Sequence, residues 1–283
     1  MAPEVAERAG TVHGVPSGRV DEIAGALLGE VDPGELIVAL GGGRVVDTAK
    51  ALAGARTPAE RPLVAAIPTT LSAAEMTAVH RRAAGADTSL PGARPARVVN
   101  DPALSASQPT VELAASAANA LGHAAEGPAT SRASPVSALA GREAARLIGA
   151  AYADGGDEPD RDTLALAALL SGYTIDSAGY GLHHVLSQTL ARFAGVGHGQ
   201  ANAVMLAHTL VALERRGAAD AGALLGLASD LARRAEAVSL SALGVAEATL
   251  DRCADAAARR AELDATAPRA DRAEIRALYA AAF

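Results

Sequence analysis

The sequence predicts two domains, an α/β domain with an open parallel sheet over residues 1–108 and an all-α domain over residues 109–283. Three observations carry this. In the first hundred residues, apolar runs of strand length alternate with helical patterns, the order expected of a parallel sheet with crossover helices. Beyond Pro109 the strand-length runs stop and Ala-rich helical patterns continue to the end. The length of 283 residues suits two domains of about 100 to 200 residues each. Half of the residues are hydrophobic, yet there is no Trp, with only two Phe and four Tyr. A core made of Ala and Leu instead favours closely packed helices, since both are strong helix formers.

The elements follow in order. From Val20 to Val31, Ile23, Leu27, Leu28 and Val31 recur at helical spacing and the run ends at the breaker Asp32-Pro33-Gly34. Glu35 to Leu40 is short and almost wholly apolar, as expected of a parallel strand buried on both faces. Gly41-Gly42-Gly43 comes next, then a helix from Val45 to Ala53, with Gly54 placed to end it. Leu63 to Ile67 reads as a second strand closing on the loop Pro68-Thr69-Thr70, and Arg97 to Asn100 as a third. In the second domain Thr110 opens a helix with Glu112 in its first turn. Breaks are expected at Gly127-Pro128, Gly155-Gly156, Gly195 to Gly199, Arg216-Gly217 and Pro268. No internal repeat is visible.

Charge and cysteine usage exclude several classes. A net charge of −7 and a pI near 5.5 argue against nucleic acid, which needs clustered positive charge. Lys50 is the only lysine, every other basic side chain being Arg, a bias that a GC-rich genome accounts for. The single cysteine, Cys253, has no partner for an internal disulfide, which suits a reducing compartment. No apolar signal segment opens the chain, and no apolar run is long enough to span a membrane. The expectation is a cytoplasmic protein acting on a small molecule.

Three groups of residues point to chemistry. Gly41, Gly42 and Gly43 join a strand to a helix, where glycines admit close approach of a pyrophosphate and a helix N-terminus favours anions. A tight turn without a ligand explains the same residues. Pro68-Thr69-Thr70-Leu71-Ser72 follows the neighbouring strand. Its hydroxyls suit a phosphate or ribose, or simply cap a helix. The third group is the histidines. Asn119 and His123 lie four apart on one helix, His184 and Gln188 repeat that spacing on another, and His198 sits in the glycine-rich break. A lone histidine is more often a buried structural residue, but two helical faces and a loop suit a shared site.

Here a resemblance becomes specific. LIVALGGGRVVDTAKALA, AIPTTLSAAEMT, NDPALSASQP with SAANALGHAAEG, and GLHHVLSQTLARFAGVGHGQANAVMLAH occur in one order. With the C-terminal SLSALGVAEATLDRCADAAARRAEL through APRADRAEIRALYAAAF, they resemble the iron-containing alcohol dehydrogenase and maleylacetate reductase superfamily, of dehydroquinate synthase-like fold. The match covers most of the chain after about Leu36. It implies a Rossmann-like sheet domain binding NAD(P)H through Gly41, Gly42, Gly43, Asp47, Thr69, Thr70 and Ser72. It further implies a helical domain with a catalytic site, built from Asn119, His123, His184, Gln188 and His198, in the cleft between the two.

By motif position His123, His184 and His198 match three histidines that bind iron or zinc in the metal-dependent branch. Asn119 stands in place of the ligand Asp, as in the maleylacetate reductase-like branch, which is regarded as metal-independent. A neutral amide removes the only anionic ligand and weakens a site for a divalent cation, although three histidines hold zinc in other proteins. Gln188 stands where another histidine is usual, and Arg44 where a small serine is usual. About forty residues precede Gly41, whereas the resemblance implies roughly twice that. A leading strand and helix are therefore unmatched, and the sheet is truncated. His13 to Val15 with the helix after it would be the second strand–helix unit. The acidic residue that commonly holds the ribose has no visible counterpart.

The first functional expectation is an NAD(P)H-dependent reductase of maleylacetate reductase type, acting on an enone or carbonyl substrate. Histidines switching charge near pH 7 would supply proton donors or oxyanion stabilisers, and Arg192 or Arg269 would pair with a substrate carboxylate. The alternative is a non-redox lyase, isomerase or cyclase that reuses the cleft. A non-catalytic scaffold ranks lowest, because an idle buried polar cluster costs stability. The edge of a shortened sheet needs covering, and a homodimer is one way to cover it.

Overall fold

The structure is a computed structural model of the chain and describes residues 7–218 and 220–283. The chain divides into two compact units, one of residues up to Thr70 with Ala74–Ser105, the other of Leu71–Ala73 with Ala106–Phe283.

In the first unit, β1 (Leu36–Gly41), β2 (Leu63–Pro68) and β3 (Arg97–Val98) form a parallel sheet in that order. Leu36 pairs with Leu63 and Gly41 with Pro68, so the glycine turn and the Thr69-Thr70 loop leave the sheet at the same end. α2 (Gly43–Gly54) crosses from β1 to β2, and α1 (Val20–Leu27) packs against α2. Strand alternation decides what is covered. Ala39, Val64 and Ala66 meet Val46, Ala49 and Ala53 of α2. Leu36 and Leu63, paired on the opposite face, are 62% and 61% exposed. The expected burial on both faces is thus corrected to one covered face among the described residues.

One further expectation changes. Residues 13–15 form no strand, because no described strand lies there to complete a ladder for their backbone groups. α2 ends at Gly54 as expected, with Ala55 as the C-cap. Its missing side chain also makes room for His80, since a Cβ there would come within 2.8 Å of His80 Cε1. Lys50, fully buried in α2, anchors the unit. Its ammonium donates to Asp47 Oδ1, Ala74 O and Val79 O at 2.8 Å each and to Thr77 Oγ1 at 3.2 Å.

The second unit consists of α3 (Thr110–Glu126), α4 (Pro135–Ala151), α5 (Arg161–Ala178), α6 (Leu182–Phe193), α7 (His198–Arg215), α8 (Leu225–Arg234), α9 (Thr249–Ala258) and α10 (Arg272–Ala281). α3 is its axis. Leu113, Ala117, Ala118, Ala120 and Leu121 are fully buried, and the small alanines let α4, α5, α7 and α8 approach closely. Thr110 is the first helical residue and not a cap, because Pro109 holds that position without a side-chain bond. Ser134 caps α4 through a capping box with Ser137, and Asp160 caps α5.

The expected breaks at Gly155, Gly195 and Gly217 carry positive φ angles. A further break at Gly179-Tyr180-Gly181, with Gly179 at φ +74°, separates α5 from α6 within what reads as one helical stretch. At the C-terminus, Tyr279 is buried and donates its hydroxyl to Leu186 O at 3.0 Å, tying α10 to α6. No helix among the described residues is long and apolar enough to cross a membrane.

Candidate functional site

Two constellations survive from sequence to structure, one in each unit. In the first, Gly41 has φ +154°, and a Cβ there would collide with Val45 Cγ2 at 2.7 Å. Gly42 precedes α2 without any side-chain cap, and a Cβ on it would press on Thr70 Cγ2 at 3.1 Å. The first N–H groups of a helix lack intrahelical acceptors, so this turn keeps anion-binding donors open. Thr70 Oγ1 is buried beside them without a partner, and Thr69 N–H donates to Gly41 O at 3.1 Å. Both turns therefore form one cradle suited to a phosphate, with Arg44 exposed on the first turn of α2.

Other predicted members go elsewhere. Asp47 is committed to Lys50. Ser72 belongs by its contacts to the second unit, where the neighbouring Leu71 N–H donates to Ser116 Oγ at 2.9 Å. No helix follows Thr69 and Thr70 directly, so they cap none.

In the second unit, α3 and α6 bring the His123 and His184 rings into a stack, with centroids 4.5 Å apart and planes 12° from parallel. His183 meets His184 edge-on at 4.8 Å. Gly122 makes room for it, since a Cβ there would lie 2.5 Å from His183 Nε2. His198, at the start of α7, is exposed and has its Nε2 3.3 Å from Asn202 Nδ2. Asn119 Oδ1, His123 Nδ1 and His184 Nε2 are buried without a hydrogen-bond partner among the described residues, while Asn202 interacts with the His183 ring.

Glu126, which no spacing in the sequence singles out, organises this cluster. Fully buried at the end of α3, it stands at the uncapped start of α6 and serves as its cap. Its Oε1 accepts the His183 N–H at 2.5 Å, and its Oε2 accepts the His184 N–H at 3.3 Å and lies 2.7 Å from His184 Nδ1. The tautomer of His184 follows. A carboxylate there accepts a hydrogen bond from Nδ1–H, so the proton stays on Nδ1 and the Nε2 lone pair is free. Burial raises the Glu126 carboxyl against the lowering effect of His183 and the backbone N–H donors.

Burial likewise pushes His183 and His184 down to about 3, and His123 well below the usual imidazole range, with neighbouring histidines adding to the fall for each. The expected switch of charge near pH 7 is corrected. At neutral pH these three rings act as uncharged hydrogen-bonding groups.

Gln188, one turn beyond His184, is half-buried and held by Arg260 through a 3.1 Å bond to its Oε1. Arg260 in turn pairs with Glu262, and Tyr180, whose ring tilts 6.0 Å from that of His184, donates to Glu262 at 3.2 Å. Arg269 is tied to Asp264 and two backbone carbonyls, and Arg192 lies over the Phe193 ring at 5.4 Å.

These residues do not fit a shared metal ion. An ion held by both His123 and His184 must lie near both ring planes, about 2.0–2.1 Å from each nitrogen. Stacked, nearly parallel rings have no such common point. Among the described residues no group of three or more His, Cys, Asp or Glu side chains is arranged to hold a metal. The phosphate-binding half of a dinucleotide does fit the Gly42–Thr70 cradle.

Comparison with known proteins agrees with this architecture. Residues 113–283 match the model of the Fe-containing alcohol dehydrogenase family, C-terminal domain. The chain is 32% identical over 247 residues to a maleylacetate reductase of Burkholderia cepacia, covering 78% of this chain and 67% of that protein. It is 36% identical over 118 residues to a 1,3-propanediol dehydrogenase of Klebsiella pneumoniae, covering 40% of this chain and 30% of that protein. The crystal structure of maleylacetate reductase from Rhizobium sp. strain MTP-10005 superposes with a TM-score of 0.83 at 27% identity, covering all of this chain and 85% of that one. The fold and site define a two-part oxidoreductase architecture of parallel sheet and helical bundle. The chain belongs to the iron-containing alcohol dehydrogenase family and is shorter than its maleylacetate reductase relatives.

Proposed function

We propose that the chain is a maleylacetate reductase-like enzyme that uses NAD(P)H to reduce an enone or carbonyl substrate. The observation that carries this is the set of unpartnered, buried Asn119, His123 and His184 atoms in a member of this family. Orphaned polar groups cost about 1–3 kcal/mol each when nothing pairs with them, so their retention suits a polar ligand.

A bound nicotinamide supplies hydride, and the protein orients and polarises. The first N–H groups of α2 and the Thr70 hydroxyl would hold its pyrophosphate. His184, fixed by Glu126, offers Nε2 to a substrate hydroxyl or to the enol that forms once the enolate left by hydride addition takes a proton from water. The Gln188 amide offers an N–H to the developing oxyanion, while Asn119 Oδ1 offers an acceptor to a substrate hydroxyl. No step needs a metal.

A non-redox lyase, isomerase or cyclase is the second reading. It is favoured by the fact that the histidine cluster lies wholly within the second unit and owes nothing to the glycine turn. Titration of the protein with NADH and NADPH, followed by nicotinamide fluorescence, separates the two. Saturable binding of either below millimolar concentration is expected, and no binding at millimolar concentration would sink the reductase.

A further inference from the structure

We infer that Arg260, paired with Glu262, fixes the amide of Gln188 so that the site selects substrates carrying a keto oxygen. The substrate class rests on the reductase proposal, while the amide orientation rests on geometry alone. Gln188 and His184 share one face of α6, and Tyr180 lies against the His184 ring. Arg260 Nη2 reaches Gln188 Oε1 at 3.1 Å and Glu262 Oε1 at 2.7 Å, while its Nε reaches Glu262 Oε2 at 3.0 Å.

A guanidinium has donors and no acceptor. The amide must therefore turn its oxygen to Arg260, since a flip would set N–H against N–H. Its NH2 group then meets the Tyr180 hydroxyl with one proton, which favours the same orientation, and the second proton is left as a donor. Tyr180 adds to the constraint, because its hydroxyl donates to the same Glu262 oxygen and keeps that carboxylate in place.

The charge pattern narrows the ligand. Glu262 neutralises Arg260, so the site presents a polarised neutral donor and no free cation. That suits an uncharged carbonyl oxygen, and the enolate it becomes on reduction, better than a carboxylate. An amide also keeps its protons at every physiological pH, which a histidine at this position would not. Arg260 is thus a positioning residue, acting through Gln188.

The test compares binding of 3-oxoadipate, a keto dicarboxylate, with that of adipate, which lacks the keto oxygen, by calorimetry without nicotinamide. The wild-type protein is expected to prefer 3-oxoadipate by about tenfold, the usual worth of one hydrogen bond. Arg260→Met should abolish that preference with little change for adipate, and Arg260→Lys, which keeps a donor, should restore most of it. Gln188→Glu removes the NH2 group in a protein whose melting curve checks the fold, and it should also abolish the preference. An unchanged ratio in both Arg260→Met and Gln188→Glu overturns the inference, as does failure of the wild type to bind either compound. A keto preference without nicotinamide oxidation would refute the reductase and leave the Gln188 assignment standing.

Discussion

Lys50 and the His123–His184 pair are both buried and polar, and they differ in how fully their neighbours satisfy them. The Lys50 ammonium has three protons and four oxygen acceptors within 3.2 Å. Among the described residues, the histidine cluster leaves Asn119 Oδ1, His123 Nδ1 and His184 Nε2 buried without partners. A saturated group holds a loop in place and has nothing left to offer a ligand, whereas an unsaturated one keeps its bonding capacity for something that binds. Residue type alone does not separate them: Lys50 and Asp47 sit next to the glycine turn in sequence, yet they pair with one another.

The largest effect should come from breaking the saturated site. Lys50→Met leaves Asp47, Ala74 O and Val79 O without their donor, and loss of one partner from a buried charged site costs about 3–5 kcal/mol. Denaturation monitored by hydrogen exchange should show the first unit opening, with protection of α3 and α6 retained. Equal loss of protection in α3 would contradict the division of roles.

The two units should also respond to pH in opposite directions. Burial raises the Glu75 carboxyl to about 7. Because its folded value exceeds the unfolded one, its stabilising contribution is present below about 4.5 and is lost as pH rises toward 7. Glu75→Gln should therefore stabilise the first unit by about 3 kcal/mol at pH 8 and leave it unchanged at pH 4. His183 and His184 behave oppositely, their folded values of about 3 lying below the unfolded 6.5. Their contribution is present above 6.5 and falls as pH drops toward 3, by about 2 kcal/mol each at pH 5. Thermal melts between pH 4 and 8 test both. A second unit that is no less stable at pH 5 than at pH 7 would refute neutral burial of the rings.

A smaller effect is expected at Ala73, which is buried at φ +62°, a region that favours glycine. Ala73→Gly should stabilise the protein by up to about 1 kcal/mol, read as a higher melting temperature. A lower one would mean that its methyl contact outweighs the backbone strain.

Much of the fold is legible in the sequence, because strand alternation, the glycine turn and the Ala-rich helices are local signals. What is not legible depends on neighbours. Leu36 and Val38 read as a buried strand, and only the sheet's single covered face shows otherwise. The Gly179 break is hidden because the apolar pattern continues across it. At the site, the four-residue spacings brought Asn119, His123, His184 and Gln188 forward. Glu126 and Arg260 carry no local signal, because their partners lie 58 and 72 residues away in the chain. The ring stack also has no sequence signature: spacing places the histidines on facing helices, but ring angle decides whether an ion fits.

The central claim is tested most directly by following NADH and NADPH absorbance with maleylacetate as substrate, alongside His184→Ala and a chelator-treated sample. Consumption of one reduced nicotinamide per substrate reduced is predicted, unaffected by the chelator and lost in His184→Ala. No consumption of either nicotinamide by the wild-type protein would contradict it.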